Sequence, residues 1–269
     1  MRRRTAIIAL LSLPAFAYLA VPLAGLFGHT VIDQVCPLLR CPEVKAALLV
    51  TAITSAVAAV MIVLLGTPLA YLLAHGEFRG KRFVDTIVDI PLVLPPAVAG
   101  VALFFTFGRT GMIGKHFAEY FTIPFTMVAV VMAQVFVSAP LYIRQARVGF
   151  LSVPPQVVSA SLTLGASPAR TFLRITLPLA SHGLIAGLVL AWARSVGEFG
   201  ATLVFAGNMM GVTQTMSLAI FQAFEAQQQL SAVVVMSGIL VVISFAVIIV
   251  TKMVLESGRS QELNEPTFG

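Results

Sequence analysis

Ser152-VPPQVVSASLTLGASPARTFLRITL-Pro178 is the one sizeable polar loop in the chain, and it lies between two apolar runs each long enough to cross a bilayer. Its punctuation is that of two successive helices. Pro155 suits a first helical turn, Gly165 suits a left-handed stop, and Ser167-Pro168 supplies a second cap and start. The spacing predicts a short helix between Pro155 and Leu164. On it Val157, Ala160 and Leu164 share one face, with Val158, Ser161 and Leu162 alongside. A helix this short is not stable alone, and its apolar surface at the membrane boundary calls for a partner.

Outward from the loop, the composition fixes the class. Hydrophobic residues make up 58% of the 269 and charged residues only 10%, and the mean hydropathy is +0.97, well outside the range of soluble domains. Six spans of about 20 apolar residues can be read: Ala6–Phe27, Ala46–Ala74, Val84–Phe107, Phe125–Ile143, Leu179–Phe205 and Leu230–Thr251. The expected fold is therefore an all-α integral membrane protein in one transmembrane domain, residues 1–269, with a core over 46–251 and a polar, disordered tail at 256–269. The net charge of +6 comes with no basic stripe interleaved with aromatics, so nucleic acid is not an expected partner. It reflects topology instead. With both termini on one side, that side holds Arg2, Arg3, Arg4, Arg79, Lys81, Arg82, Arg144, Arg147, Arg170, Arg174, Lys252 and Arg259. The other holds Arg40, Lys45, Arg109 and Lys115, and the excess of basic residues places both termini and the 152–178 loop in the cytoplasm. The apolar run after Arg2–Arg4 is longer than a secretory signal core, so an uncleaved first span is expected.

Two further stretches carry candidate chemistry. Residues 89–100, DIPLVLPPAVAG, place Pro91, Pro95 and Pro96 in an apolar run. Prolines remove backbone donors, which lipid tolerates only where protein or a cavity satisfies the freed carbonyls. The segment is expected in the interior, either beside a pathway or as a kinked packing helix. In the fifth span, ARSVGEFGAT at 193–202 sets Arg194 and Glu198 four apart on one helix face, with Gly197 and Gly200 permitting close backbone approach. Ionisable residues this deep face protein or water: the pair is either functional or a buried ion pair that only fixes packing. The two cysteines, Cys36 and Cys41, are too few for a closed structural zinc site. They form either a small external disulfide loop or two unpaired thiols.

The loop also resembles a known family. Ala160, Gly165, Ile175, Leu177 and Pro178 are spaced as in the cytoplasmic EAA loop of permease subunits from binding-protein-dependent ABC importers. Ser159 stands where that family usually has Glu and Ser161 at its second Ala, which leaves the architecture but removes the carboxylate available for a salt bridge to the ATPase. The 89–100 run and RSVGEFGATLVFAGN through Asn208 are similar to permeases of the molybdate, tungstate and sulfate group, with Thr213-Gln214-Thr215 and Leu218-Ala219-Ile220 nearest the molybdate branch. The resemblance implies a six-helix type I importer permease of the MetI-like fold with a cytoplasmic coupling helix, in a prokaryotic inner membrane. Ser159, Ala160, Ser161, Leu164, Gly165 and Ala166 would meet the ATPase. Arg194, Ser195, Gly197, Glu198, Phe199, Gly200, Pro95 and Pro96 would line a pathway or gate. Implied partners are a second permease, two cytoplasmic ATPases and an external binding protein delivering the oxyanion.

The chain has no G-x-x-x-x-G-K-[ST] run, so ATP and Mg would be used by the partner ATPase, with no catalytic residue, cofactor or metal on this chain. An ion-coupled carrier would more typically show several mid-span acids or broken helices in corresponding halves, and Glu198 is the one convincing mid-span acid. A sulfate permease acting in a heterodimer is the nearer alternative. An intramembrane enzyme has no H-E-x-x-H here, and His29, His75, His116 and His182 are scattered.

Overall fold

A computed structural model describes residues 2–28, 37, 40–226 and 230–262. The described residues form helices α1 (Arg2–Gly28), α2 (Pro42–His75), α3 (Lys81–Val93), α4 (Pro96–Phe107), α5 (Met127–Leu151) and α6 (Pro155–Thr163). After these come α7 (Pro168–Thr171), α8 (Leu177–Val196), α9 (Gly200–Ala206), α10 (Met216–Glu225) and α11 (Leu230–Glu262). Among the described residues, five helical rods are long and apolar enough to cross a membrane, and a sixth span arises if the bent pair α3 and α4 is one crossing.

The centre of the bundle is α2, α5 and α8. Two glycines decide how close α5 and α8 come: a Cβ on Gly183 would lie 2.5 Å from the Gly149 Cα, so neither position accepts a side chain. Polar side chains bridge the helices where lipid offers no water. The hydroxyls of Thr67 and Tyr142 are 2.6 Å apart, Gln134 Nε2 donates to Thr54 Oγ1 at 3.2 Å, and Trp192 Nε1 donates to Ser55 Oγ at 3.2 Å. The apolar core nearest the 152–178 loop gathers Ile62, Leu73, Tyr142 and Phe150. A second core joins α4, α5 and α9 through Ala99, Leu103, Ala133 and Phe205.

Several expectations need correction. The third span is not one helix, since the chain bends by 118° between α3 and α4, at Leu94 and Pro95. Pro95 has no N–H and a fixed φ, and it disfavours helical geometry at Leu94, so the chain turns there. The fifth span also breaks: α8 stops at Val196 and α9 restarts at Gly200 as a separate seven-residue helix. At its other end the fifth span begins earlier than hydropathy suggests. Pro168–Val196 is one 29-residue helical rod, made continuous by a π turn over Phe172–Thr176 in which Leu177 N–H bonds Phe172 O. The wider turn accommodates Pro178, which cannot donate and would crowd a normal α turn. The second half of the polar loop is thus the start of a span. The tail is corrected in part: α11 continues to Glu262, while 263–269 lie outside the described residues. Cys36 lies outside them too, and with it the question of a disulfide to Cys41.

Candidate functional site

The loop forms as its punctuation predicts. Pro155 opens α6, and Gly165 takes φ +86 just past its end. Gly165 N–H bonds Leu162 O at 3.0 Å and Ala166 N–H bonds Ser161 O at 3.1 Å, the paired bonds of a Schellman stop that satisfy the last carbonyls. Ser167 Oγ then accepts from Arg170 N at 3.3 Å to start α7. Val157, Ala160 and Leu164 do share an exposed face, with Leu164 88% exposed. Ser159 and Gly165 are exposed and Ala166 half-buried. Ser161 is the exception among the predicted contact residues. It is 8% exposed and its hydroxyl lies 3.0 Å from Thr171 Oγ1, tying α6 to α7. It braces the loop from inside, so it cannot be part of an outward contact face.

The second constellation gathers around the break at 197–199. Pro96 at the start of α4 and Gly200 at the start of α9 are brought into contact: a Cβ on Gly200 would lie 2.8 Å from Pro96 Cβ. The two motifs read separately in the sequence therefore meet at one place. Gly197 does not share this role, because a Cβ there would find its nearest neighbour at 3.8 Å. Pro95, Pro96 and Gly197 are exposed on this chain, while the inward face of α4 begins with Ala99 and Gly100. The expected interior placement thus holds for Ala99 and Gly100 at the end of the 89–100 segment only. Phe199 is half-buried and packs on Phe221 of α10, ring centroids 4.9 Å apart.

Arg194 and Glu198 do pair, with Arg194 Nη1 2.7 Å from Glu198 Oε2. The guanidinium approaches off the hydrogen-bonding line, so Oε2 has no directed bond and the contact is coulombic. The directed bond of this carboxylate is the one from Ala201 N to Oε1, 2.8 Å, which caps α9. An anion at a helix N-terminus is favoured by the exposed N–H groups there. Burial is unequal: the Glu198 side chain is 1% exposed and that of Arg194 35%. The buried member is the acid. Ser195, also buried, donates its hydroxyl to Trp192 O at 2.8 Å and shapes the end of α8.

Sequence reading missed one pair of contacts. Arg144 of α5 grips Asp89 of α3 through Nε and Nη2, both at 2.6 Å, and Arg147 Nη1 donates to Asp85 Oδ1 at 2.7 Å. The available signal was the spacing: carboxylates at i and i+4 on one helix, guanidiniums at i and i+3 on another.

A membrane subunit whose span breaks face one another and whose polar loop presents a short apolar helix has the architecture of an ABC importer permease. Solved structures share it. A bacterial alginate ABC transporter, solved with its alginate pentasaccharide-bound periplasmic protein, matches with TM-score 0.74 at 14% identity, covering 93% of both chains. The MetNI methionine ABC transporter in an inward-facing conformation matches with TM-score 0.61 at 19% identity over 85% of this chain and 99% of that one. Residues 63–256 match the family of binding-protein-dependent transport system inner membrane components, and the chain belongs to it. Among its relatives, the molybdenum transport system permease protein ModB of Mycobacterium tuberculosis is 39% identical over 241 residues, 88% of this chain and 90% of that protein. ModB of Escherichia coli K12 is 40% identical over 67% of this chain and 79% of its own length. The molybdate/tungstate permease WtpB of Pyrococcus abyssi is 36% identical over 70% and 72%.

Proposed function

We propose that this ABC importer permease conducts a tetrahedral oxyanion into the cytoplasm, molybdate in preference to tungstate or sulfate, as a homodimer driven by two cytoplasmic ATPases and loaded by an external binding protein. The observation that carries the oxyanion reading is the run of relatives named for molybdenum or molybdate/tungstate transport, one of them 39% identical over 88% of this chain. The drive is assigned to α6. Its exposed Val157, Ala160 and Leu164 face has no partner within this chain among the described residues, and a groove in an ATPase would cover it. Closure of the ATPases on ATP and Mg would move α6, and the rods that leave the loop would carry that motion to the break at 197–199. The single mid-span acid supports a driven permease over an ion-coupled carrier, since Glu198 is already occupied by Arg194 and the α9 N-terminus.

The test is uptake into vesicles holding the permease with its cognate ATPase, supplied with the cognate binding protein. Molybdate should enter only with ATP, and tungstate should compete better than sulfate. Sulfate outcompeting molybdate, or a requirement for a second, different permease, would overturn the substrate and homodimer assignments. ATP-independent uptake that follows an ion gradient would overturn the importer itself.

The orientation has its own test in a background lacking Cys36 and Cys41. Ala160→Cys, on the exposed face of α6, should label only from the cytoplasmic side, and Ile113→Cys only from outside. Both positions are exposed, whereas a cysteine at 161 would be shielded. The opposite labelling pattern would invert the topology.

A further inference from the structure

Helix α3 is held in an unusual way. None of its residues is fully buried, and only Val84 and Val88 pack against the core beside it. Asp85 and Asp89, one turn apart, would repel each other on a helix left to itself. They sit instead opposite Arg147 and Arg144, in the last two turns of α5. One exposed ion pair contributes little. Here two pairs of matched spacing cross a single helix contact, one with the parallel two-bond geometry that fixes orientation as well as distance. With so little apolar burial, these pairs decide where α3 lies on α5.

Both ends of this contact lead somewhere. On one side α5 runs through Ser152, Val153 and Pro154 alone into α6, the helix assigned to the ATPase. On the other, α3 is joined to α4 by only Leu94 and Pro95, both extended, with the φ of Pro95 locked by its ring. Displacing α3 therefore displaces Pro96, which rests on Gly200 beside the Glu198-capped start of α9. The loop thus has two mechanical arms to the break. One is the rod Pro168–Val196, which ends beside Arg194 and Glu198. The other is α5, α3 and α4, in which the two ion pairs fasten α3 to α5 while Ala99, Leu103, Ala133 and Phe205 pack α4 against α5 and α9.

Resting on the importer reading above, we infer that Asp85, Asp89, Arg144 and Arg147 are positioning residues that make α4 follow the loop, so that the Pro96–Gly200 contact opens and closes in step with the ATPases. Without the joint, α3 would swing on α5 and its pull on Pro96 would be lost, leaving α4 guided only by its apolar packing on α5 and α9. Hydrolysis would continue and transport would slip.

The experiment compares Asp89→Asn, Arg144→Gln, the single reversals Asp89→Arg and Arg144→Asp, and the double reversal carrying both. Each is made in the full complex with ATPase and binding protein. Co-purification of the ATPase, ATP hydrolysis and uptake of molybdate per ATP are measured together. The single variants should retain co-purification and hydrolysis but lose about threefold to thirtyfold in uptake per ATP, the range spanned by residues that couple distant sites without touching either ligand. The double reversal should recover most of the ratio, because it restores the pair with its charges exchanged. A merely structural role would lower assembly and hydrolysis together and leave the ratio alone. Wild-type uptake per ATP in both Asp89→Asn and Arg144→Gln would overturn the inference, as would a double reversal that assembles but recovers nothing. If the wild-type complex itself shows no ATP-driven uptake, the importer reading fails instead, and the two failures are told apart by that control.

Discussion

Arg194→Ala is expected to damage the protein more than Glu198→Ala does, although the two residues form one pair. The reason is which of them is buried. Glu198 is 1% exposed and its Oε2 has no directed bond, so removing the guanidinium 2.7 Å away leaves a carboxylate in low dielectric, held by the Ala201 N–H on Oε1. Breaking a fully desolvated pair costs about 3–5 kcal/mol; because a third of the Arg194 side chain already meets solvent, a loss on the order of 2 kcal/mol is expected here. In Glu198→Ala the cation can turn to water, and the main loss is the cap on α9, worth about 1 kcal/mol. Glu198→Gln should be milder still, since its amide oxygen can go on accepting from Ala201 N. The thermal stability of the purified permease, with uptake measured in parallel, orders the three variants. Glu198→Ala proving the worst of them would mean that Arg194 is the member starved of solvent, in a conformation other than this one.

The order of those variants could not be read from the sequence, and the reason is general to this chain. A spacing of four put Arg194 and Glu198 on one face, but periodicity says nothing about which of two neighbours faces water. The spans were legible because a run of about 20 apolar residues needs only counting. The break at 197–199 was not, because Gly197 and Gly200 lie within an otherwise apolar run, and at Pro95 and Pro96 the prolines announced a distortion but not its size. The loop was legible almost atom by atom: Pro155, Gly165 and Ser167 act through their own backbone geometry, which a sequence states directly. Where it failed, at Ser161, the deciding contact came from Thr171 in the next helix. The α3–α5 ion pairs join residues some 60 positions apart, a separation that no local pattern spans.

Gly165→Val is expected to leave the permease in the membrane and to disconnect it from its ATPase. Gly165 holds φ +86, a region where a Cβ crowds the neighbouring carbonyl, and valine is among the residues least able to enter it. Nothing lies within 4 Å of where that Cβ would project, so no packing clash contributes and the whole cost is conformational, about 1–3 kcal/mol. That cost falls on a nine-residue helix whose end is fixed by the bonds from Gly165 N to Leu162 O and from Ala166 N to Ser161 O. If the backbone at 165 leaves the left-handed region, both bonds go, and Leu164, the most exposed apolar residue of the face, is presented at a different angle. The spans do not depend on this turn, so insertion and the thermal stability of the bundle should stay near wild type. Gly165→Asn, which tolerates the left-handed region, should keep most function, and Gly165→Ala should fall between the two. Co-purification of the ATPase, followed by uptake per ATP hydrolysed, reads the effect. A valine variant that holds its ATPase and transports at the wild-type ratio would mean that motion reaches the spans by some route other than the Pro155–Thr163 helix.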